Sequence, residues 1–151
     1  MRKGFLIDTN VLVYAINKDS QFHIESKNLF EFAMNTNVNA YLSTNNLLEF
    51  LAIVTDRKRI ENPLSVGQAE AVIEIILNSN INIINPDKSS IIKAIEISKE
   101  LEIKGQKIFD LILVGMMEVN DISTIVTYNT KDFTKIKEID VIKPKDILKD
   151  R

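Results

Sequence analysis

Phe5-Leu6-Ile7-Asp8-Thr9-Asn10-Val11-Leu12 is the stretch on which the reading of this chain turns. Its first three residues are apolar, one aromatic and one β-branched, which is the make-up of a short buried strand. Asp8 ends that run, and the apolar pattern resumes at Val11 as the start of a helix. The basic start Met1-Arg2-Lys3 ahead of these apolar residues imitates a secretory signal. A signal core does not carry a carboxylate at its centre, however, and no small-residue cleavage site follows, so a first strand and helix is the better reading.

Working outward, short runs rich in Ile, Val and aromatics recur at 40–43, 81–84 and 124–127. With 4–7 they predict four strands, and 139–142 predicts a fifth at a sheet edge. Between them, residues 25–34, 45–57, 66–77, 89–101 and 107–119 place apolar side chains at helical spacing. Ser65 with Gln68 fits a capping box, Asp87 fits a cap after Pro86, and Gly105 is a candidate stop after the fourth of these helices. Strands alternating with helices predict an α/β fold with a mainly parallel sheet covered on both faces, because a parallel pair needs a crossover long enough to hold a helix. No linker, repeat or low-complexity tract divides the chain, so a single domain over 1–151 is expected.

The composition narrows the function classes. At 151 residues and 17.2 kDa, with 45% hydrophobic and 26% charged residues, the chain has an ordinary globular mixture. No stretch approaches the ~20 apolar residues of a membrane span. The absence of cysteine excludes a disulfide framework and a thiolate metal site, and is compatible with a cytoplasmic location. A formal net charge of −2 argues against nucleic-acid binding through a whole-molecule basic field. Phosphate binding would have to lean on a bound cation or on local clusters such as Arg57-Lys58-Arg59 and Lys131, Lys135 and Lys137, although for either cluster alone a solvated charged face is the favoured reading.

In open parallel sheets ligands gather beyond the carboxyl ends of the strands. Asp8 follows the first predicted strand, Glu49 lies soon after the second, and Asn129 and Asp132 follow the fourth. Asp110 sits in Ile108-Phe109-Asp110-Leu111-Ile112-Leu113-Val114, and Glu49 among Leu47, Leu48, Phe50 and Leu51. A carboxylate in so apolar a run needs a partner, since burying it unpaired costs several kcal/mol or raises its pKa. If Asp8, Glu49, Asp110 and Asp132 converge, a divalent cation resolves their repulsion, and an all-oxygen donor set suits Mg²⁺ or Mn²⁺. A lone His23 outside the group and no Cys argue against zinc. Plainer readings stay open: Asp8 as a helix cap, Asp132 as a turn residue, Asp110 paired with Lys107. His23 is read as a surface residue, and Met116-Met117 as core filler.

Taken in order, Phe5 to Leu12, Leu47-Leu48-Glu49, Phe109-Asp110 with its apolar helix, and Thr127-Tyr128-Asn129-Thr130-Lys131-Asp132-Phe133 resemble the PIN-domain family, and within it the VapC-type toxins of toxin–antitoxin modules. The resemblance covers nearly the whole chain. It implies a three-layer α/β/α sandwich and a Mg²⁺- or Mn²⁺-dependent phosphodiesterase that cleaves RNA. Usually such a protein is a homodimer with a cognate antitoxin as its partner. Carried over, Asp8, Glu49 and Asp110 match the family's acids as metal ligands. Where relatives often have Asp two residues after the Thr, this chain has Asn129, and Asp132 lies further along. Asn10, Thr127 and Asn129 become candidates for orienting ligands or water. A housekeeping or DNA-directed nuclease and an inactive PIN-like binding module are the competing readings.

Overall fold

The computed structural model describes residues 4–149, so the basic start Met1-Arg2-Lys3 lies outside the described residues. Five strands form one sheet in the order β3-β2-β1-β4-β5: β1 (Phe5–Ile7), β2 (Ala40–Ser43), β3 (Asn82–Ile84), β4 (Thr124–Val126) and β5 (Asp140–Ile142). All four neighbouring pairs are parallel, in register Phe5 with Ala40 and Thr124, Tyr41 with Asn82, and Thr124 with Asp140. The β5 segment is an edge strand, as its position in the sequence predicts.

Helices α1 (Thr9–Ile16) and α2 (His23–Asn35) connect β1 to β2, α3 (Thr44–Val54) and α4 (Val66–Leu77) connect β2 to β3, and α5 (Lys88–Leu101) and α6 (Ile108–Val119) connect β3 to β4. The pleat decides which side chain meets which helices. Phe5 and Ile7 enter a core with Leu12, Phe30, Phe50 and Ile76, whereas Leu6 points the other way, into a second core with Ala94, Leu111, Val114 and Met117. Thus α1 to α4 cover one face and α5 with α6 the other, which is the expected three-layer sandwich. Met116 and Met117 are fully buried in the second core.

Local chemistry sets most boundaries where the residues predict them. Ser65 accepts from the Gln68 amide while Gln68 accepts from the Ser65 amide, a completed capping box at α4. Asp87 caps α5 through the Ser90 amide. Three boundaries differ from expectation. The stop of α5 is Glu102 in the left-handed region (φ 55°), not Gly105, which opens a 3₁₀ turn (Gly105–Lys107) leading into α6. The α3 helix ends at Val54 rather than at Arg57: Thr55 bonds back to the Leu51 carbonyl and Asp56 accepts from the Lys58 amide, turning the chain. Finally, a short α7 (Pro144–Lys149) packs Ile147 into the first core. Its signal was Pro144, which suits a first helical position because the missing N–H would be unbonded there anyway.

Helix α6 packs directly against the backbone of α5. A Cβ built on Gly115 would lie 2.3 Å from the Ser90 carbonyl oxygen, so only glycine lets α6 reach this depth. This contact holds the helix that carries Asp110.

Candidate active site

Strand β1 is flanked by β2 on one side and β4 on the other, so its carboxyl end lies where the chain's connections diverge. Asp8 stands there, and both plain and functional readings of it apply. Its backbone N–H continues the ladder to the Val126 carbonyl at 3.0 Å, and one carboxylate oxygen caps α1 by accepting from the Thr9 amide at 2.8 Å. The other oxygen accepts from the Thr127 hydroxyl at 2.8 Å and from the Asn10 side-chain amide at 3.1 Å. Asn10 also donates to Thr127 Oγ1 at 2.9 Å and accepts from the Tyr128 amide at 3.0 Å. Thr127 Oγ1 in turn accepts from the Asn129 amide at 3.0 Å. The segment after β4 is thereby tied to the first turn of α1.

The same network reaches α3. Asn46, 2% exposed, bonds Ser43 in a capping box and donates to Thr9 Oγ1 at 2.9 Å. One turn later Glu49 projects from α3. Asp110 projects from the first turn of α6, and Asp132 from a 3₁₀ turn over Thr130–Phe133. Asp8, Asn10, Glu49, Asp110, Asn129 and Asp132 all line one cavity of about 470 Å³, within the ~300–1,000 Å³ typical of small-ligand sites.

Of the four acids, only Asp8 accepts from protein donors among the described residues. Among the described residues the side chains of Glu49, Asp110, Asn129 and Asp132 accept no hydrogen bond, and no ion pair joins Asp110 to Lys107, whose charge is the smallest of the influences on it. Burial, then the charge of Asp132, then those of Asp8 and Glu49, push the Asp110 carboxyl up to about 6. Burial also raises Asp8 against its three hydrogen bonds, and burial followed by the Asp8 charge raises Glu49, with Arg59 opposing. Crowded, unpartnered oxygen donors of this kind fit a hard divalent cation. Among the described residues no three acids or histidines are already drawn to a common ligand point, so the donors share a cavity rather than a cage.

These shifts have a consequence for stability. The folded Asp110 keeps its proton to about pH 6, whereas the ordinary carboxyl releases it near 3.8, so the folded state binds the extra proton between those values. Metal-free protein is therefore expected to lose stability as pH rises from 5 to 7, Asp8 and Glu49 acting in the same direction. Thermal melts in EDTA should give a higher Tm at pH 5 than at pH 7, and saturating Mg²⁺ should raise the pH 7 value more. A Tm that climbs from pH 5 to pH 7 in EDTA contradicts this account.

Other cavity residues carry no clear signal in the sequence. Tyr14, Asn17, Arg59 and Phe109 also line it. Arg59 belongs to a cluster whose favoured reading from the residues is a solvated face, and it lines the cavity from the segment that follows α3. His23 lies outside the cavity, its ring bonded to the Tyr14 carbonyl at 3.0 Å.

With this geometry in view, the similarities to known proteins can be stated. The family model described as PIN domain matches residues 5–139. Among solved structures, VapBC from Salmonella typhimurium bound to DNA superposes with a TM-score of 0.68 at 20% identity, covering 95% of this chain and 99% of that one. VapBC2 from Rickettsia felis bound to a promoter fragment gives 0.65 at 25% identity, covering 92% and 97%. Mycobacterium tuberculosis VapC20, a Sarcin-Ricin loop cleaving toxin, gives 0.67 at 14% identity, covering 88% and 95%. Among curated proteins the chain has no match.

Proposed function

Since the chain belongs to the PIN-domain family, we propose that it is a metal-dependent endoribonuclease and the toxin of a toxin–antitoxin pair. The observation that carries the nuclease reading is the single cavity lined by Asp8, Glu49, Asp110 and Asp132, in which only Asp8 has protein donors. Support for the toxin role and for a cognate antitoxin comes from the VapBC complexes, whose fold this chain shares over most of its length.

Asp8, Asp110 and Glu49 would hold Mg²⁺ or Mn²⁺, and Asp132 would complete the negative wall. A cation held there would polarise the phosphodiester and lower the pKa of a water, so no covalent nucleophile would be required. Thr127 and Asn10 hold one Asp8 oxygen by donating to it, which fixes how the carboxylate faces the cavity. Asn129, tied by its backbone to Thr127, brings a neutral carboxamide that would orient water or a ligand. The reading also includes a homodimer and a cytoplasmic location; among the described residues no helix is long and apolar enough to cross a membrane.

The test is cleavage of defined RNA and DNA oligonucleotides. RNA should be cut in Mg²⁺ or Mn²⁺ and left intact in EDTA, with activity restored by adding the cation back. EDTA-resistant cleavage would sink the metal assignment, and cleavage of DNA alone would sink the ribonuclease assignment. Co-purification of the chain with the product of a short adjacent open reading frame, accompanied by loss of cleavage, is the expected result for the antitoxin.

A further inference from the structure

Phe109 is the most exposed large apolar side chain among the described residues, at 74%, and it borders the acid cavity immediately before Asp110. Leaving a phenyl ring in water forgoes the gain of burying it, so its position needs an account. Helical spacing puts Phe109 in one row with Leu113 and Met117, which are 6% and 0% exposed. The row leaves the core only at the first turn of α6, where the cavity rather than another element faces it. The ring pairs of the fold, among Tyr14, Phe22 and Tyr128, do not include Phe109.

Arg59 is the one cation among the residues lining the same cavity. Its charge reaches Glu49, and the ion pairs of the described residues lie elsewhere. An unpacked aromatic face, a guanidinium and a cluster of acids around one cavity match the parts of a single nucleotide unit. An unpaired base stacks favourably on an aromatic ring whatever its identity, and a guanidinium suits a phosphate. A base inside a duplex has no free face to offer such a ring.

We propose that Phe109 is the stacking platform for a nucleobase of the bound strand and Arg59 the contact for an adjoining phosphate. The inference rests on the phosphodiesterase reading of the cavity, and it adds which residues of this chain hold a base and a phosphate beside the acids. Stacking is sequence-tolerant, so this platform does not by itself choose the target.

Binding tests the proposal separately from cleavage. The probe is a fluorescent single-stranded RNA hexanucleotide in Ca²⁺, scanned with one abasic position at a time. In the wild type one abasic position should weaken binding about ten-fold, and Phe109→Leu should weaken the intact probe by a similar factor. On Phe109→Leu that abasic position should cost nothing further, and Phe109→Tyr should restore both affinity and abasic sensitivity. Arg59→Gln should reduce the salt dependence of log affinity by about one. Wild-type affinity in Phe109→Leu with the abasic penalty intact overturns the proposal, as does failure of the wild type to bind the probe. Abasic-sensitive binding by a protein that never cleaves in Mg²⁺ or Mn²⁺ upholds the platform and removes the nuclease reading. Cleavage with normal KM by Phe109→Leu does the reverse.

Discussion

Asp110→Asn is expected to lower kcat/KM for RNA cleavage in Mn²⁺ by about 10³-fold or more, roughly 4 kcal/mol of transition-state stabilisation, while leaving the metal-free protein as stable as the wild type or more so. The two effects have one cause. Asp110 is half-buried, accepts no hydrogen bond and is raised to about 6 by burial and by Asp132, Asp8 and Glu49. Removing its charge relieves repulsion in the folded state, which is the stabilising part. The same change deletes an anionic donor from the cavity, which is the catalytic part. Asp110 is a cleaner test than Asp8, whose carboxylate also caps α1 and holds Thr127 and Asn10, so that Asp8→Asn disturbs the backbone as well. Melting curves in EDTA and cleavage assays in Mn²⁺ check both halves. Cleavage at the wild-type rate with an unchanged Tm would remove Asp110 from the machinery and favour an inactive binding module.

Gly115→Ala is expected to destabilise the fold by about 3 kcal/mol, which for a chain of this size lowers Tm by roughly 6–12 °C. In an exposed helix the same substitution would stabilise by about 1 kcal/mol, so the sign itself is informative. The added Cβ would meet the Ser90 carbonyl oxygen at 2.3 Å and the Ala94 amide nitrogen at 3.4 Å. Both are backbone atoms inside α5, and neither can swing aside as a side chain could. Ser90 is itself fully buried and bonded to the Asp87 cap, so relief requires α6 to move away from α5. Because α6 carries Asp110, cleavage by the folded fraction should fall too, since misplacement of about 1 Å can cost 10²-fold. Calorimetry that gives an unchanged or raised Tm would show that the two helices are not locked at this point.

Much of the fold is legible from local pattern. The strands and most helices follow from apolar spacing, and Ser65 and Asp87 act as the caps their positions predict, because a cap depends on atoms three residues away. Glu102 shows where such reasoning stops. A glycine was available at 105, but the chain ends α5 three residues earlier by placing an acid in the left-handed region, bonded to the Ser98 carbonyl. The early end of α3 is similar in kind: Thr55 and Asp56 can continue a helix or bond the backbone and end it, and packing chooses.

The stretch from Phe5 to Leu12 by itself determined a strand that ends in an acid and leads into a helix, and the apolar surroundings of Glu49 and Asp110 by themselves demanded partners for those acids. Each of these is a short-range consequence of side-chain type, spacing and desolvation. What only the tertiary structure decided is which groups share the cavity and which of them the protein satisfies. Thr127 and Asn10 meet on Asp8 across 119 and 2 residues of chain, and Arg59 and Phe109 reach the same cavity from opposite covers of the sheet. Those juxtapositions come from parallel pairing of β1 with β4 and from the depth to which Gly115 lets α6 settle. Neither is encoded in any window of neighbouring residues, because both are set by contacts between distant backbone segments.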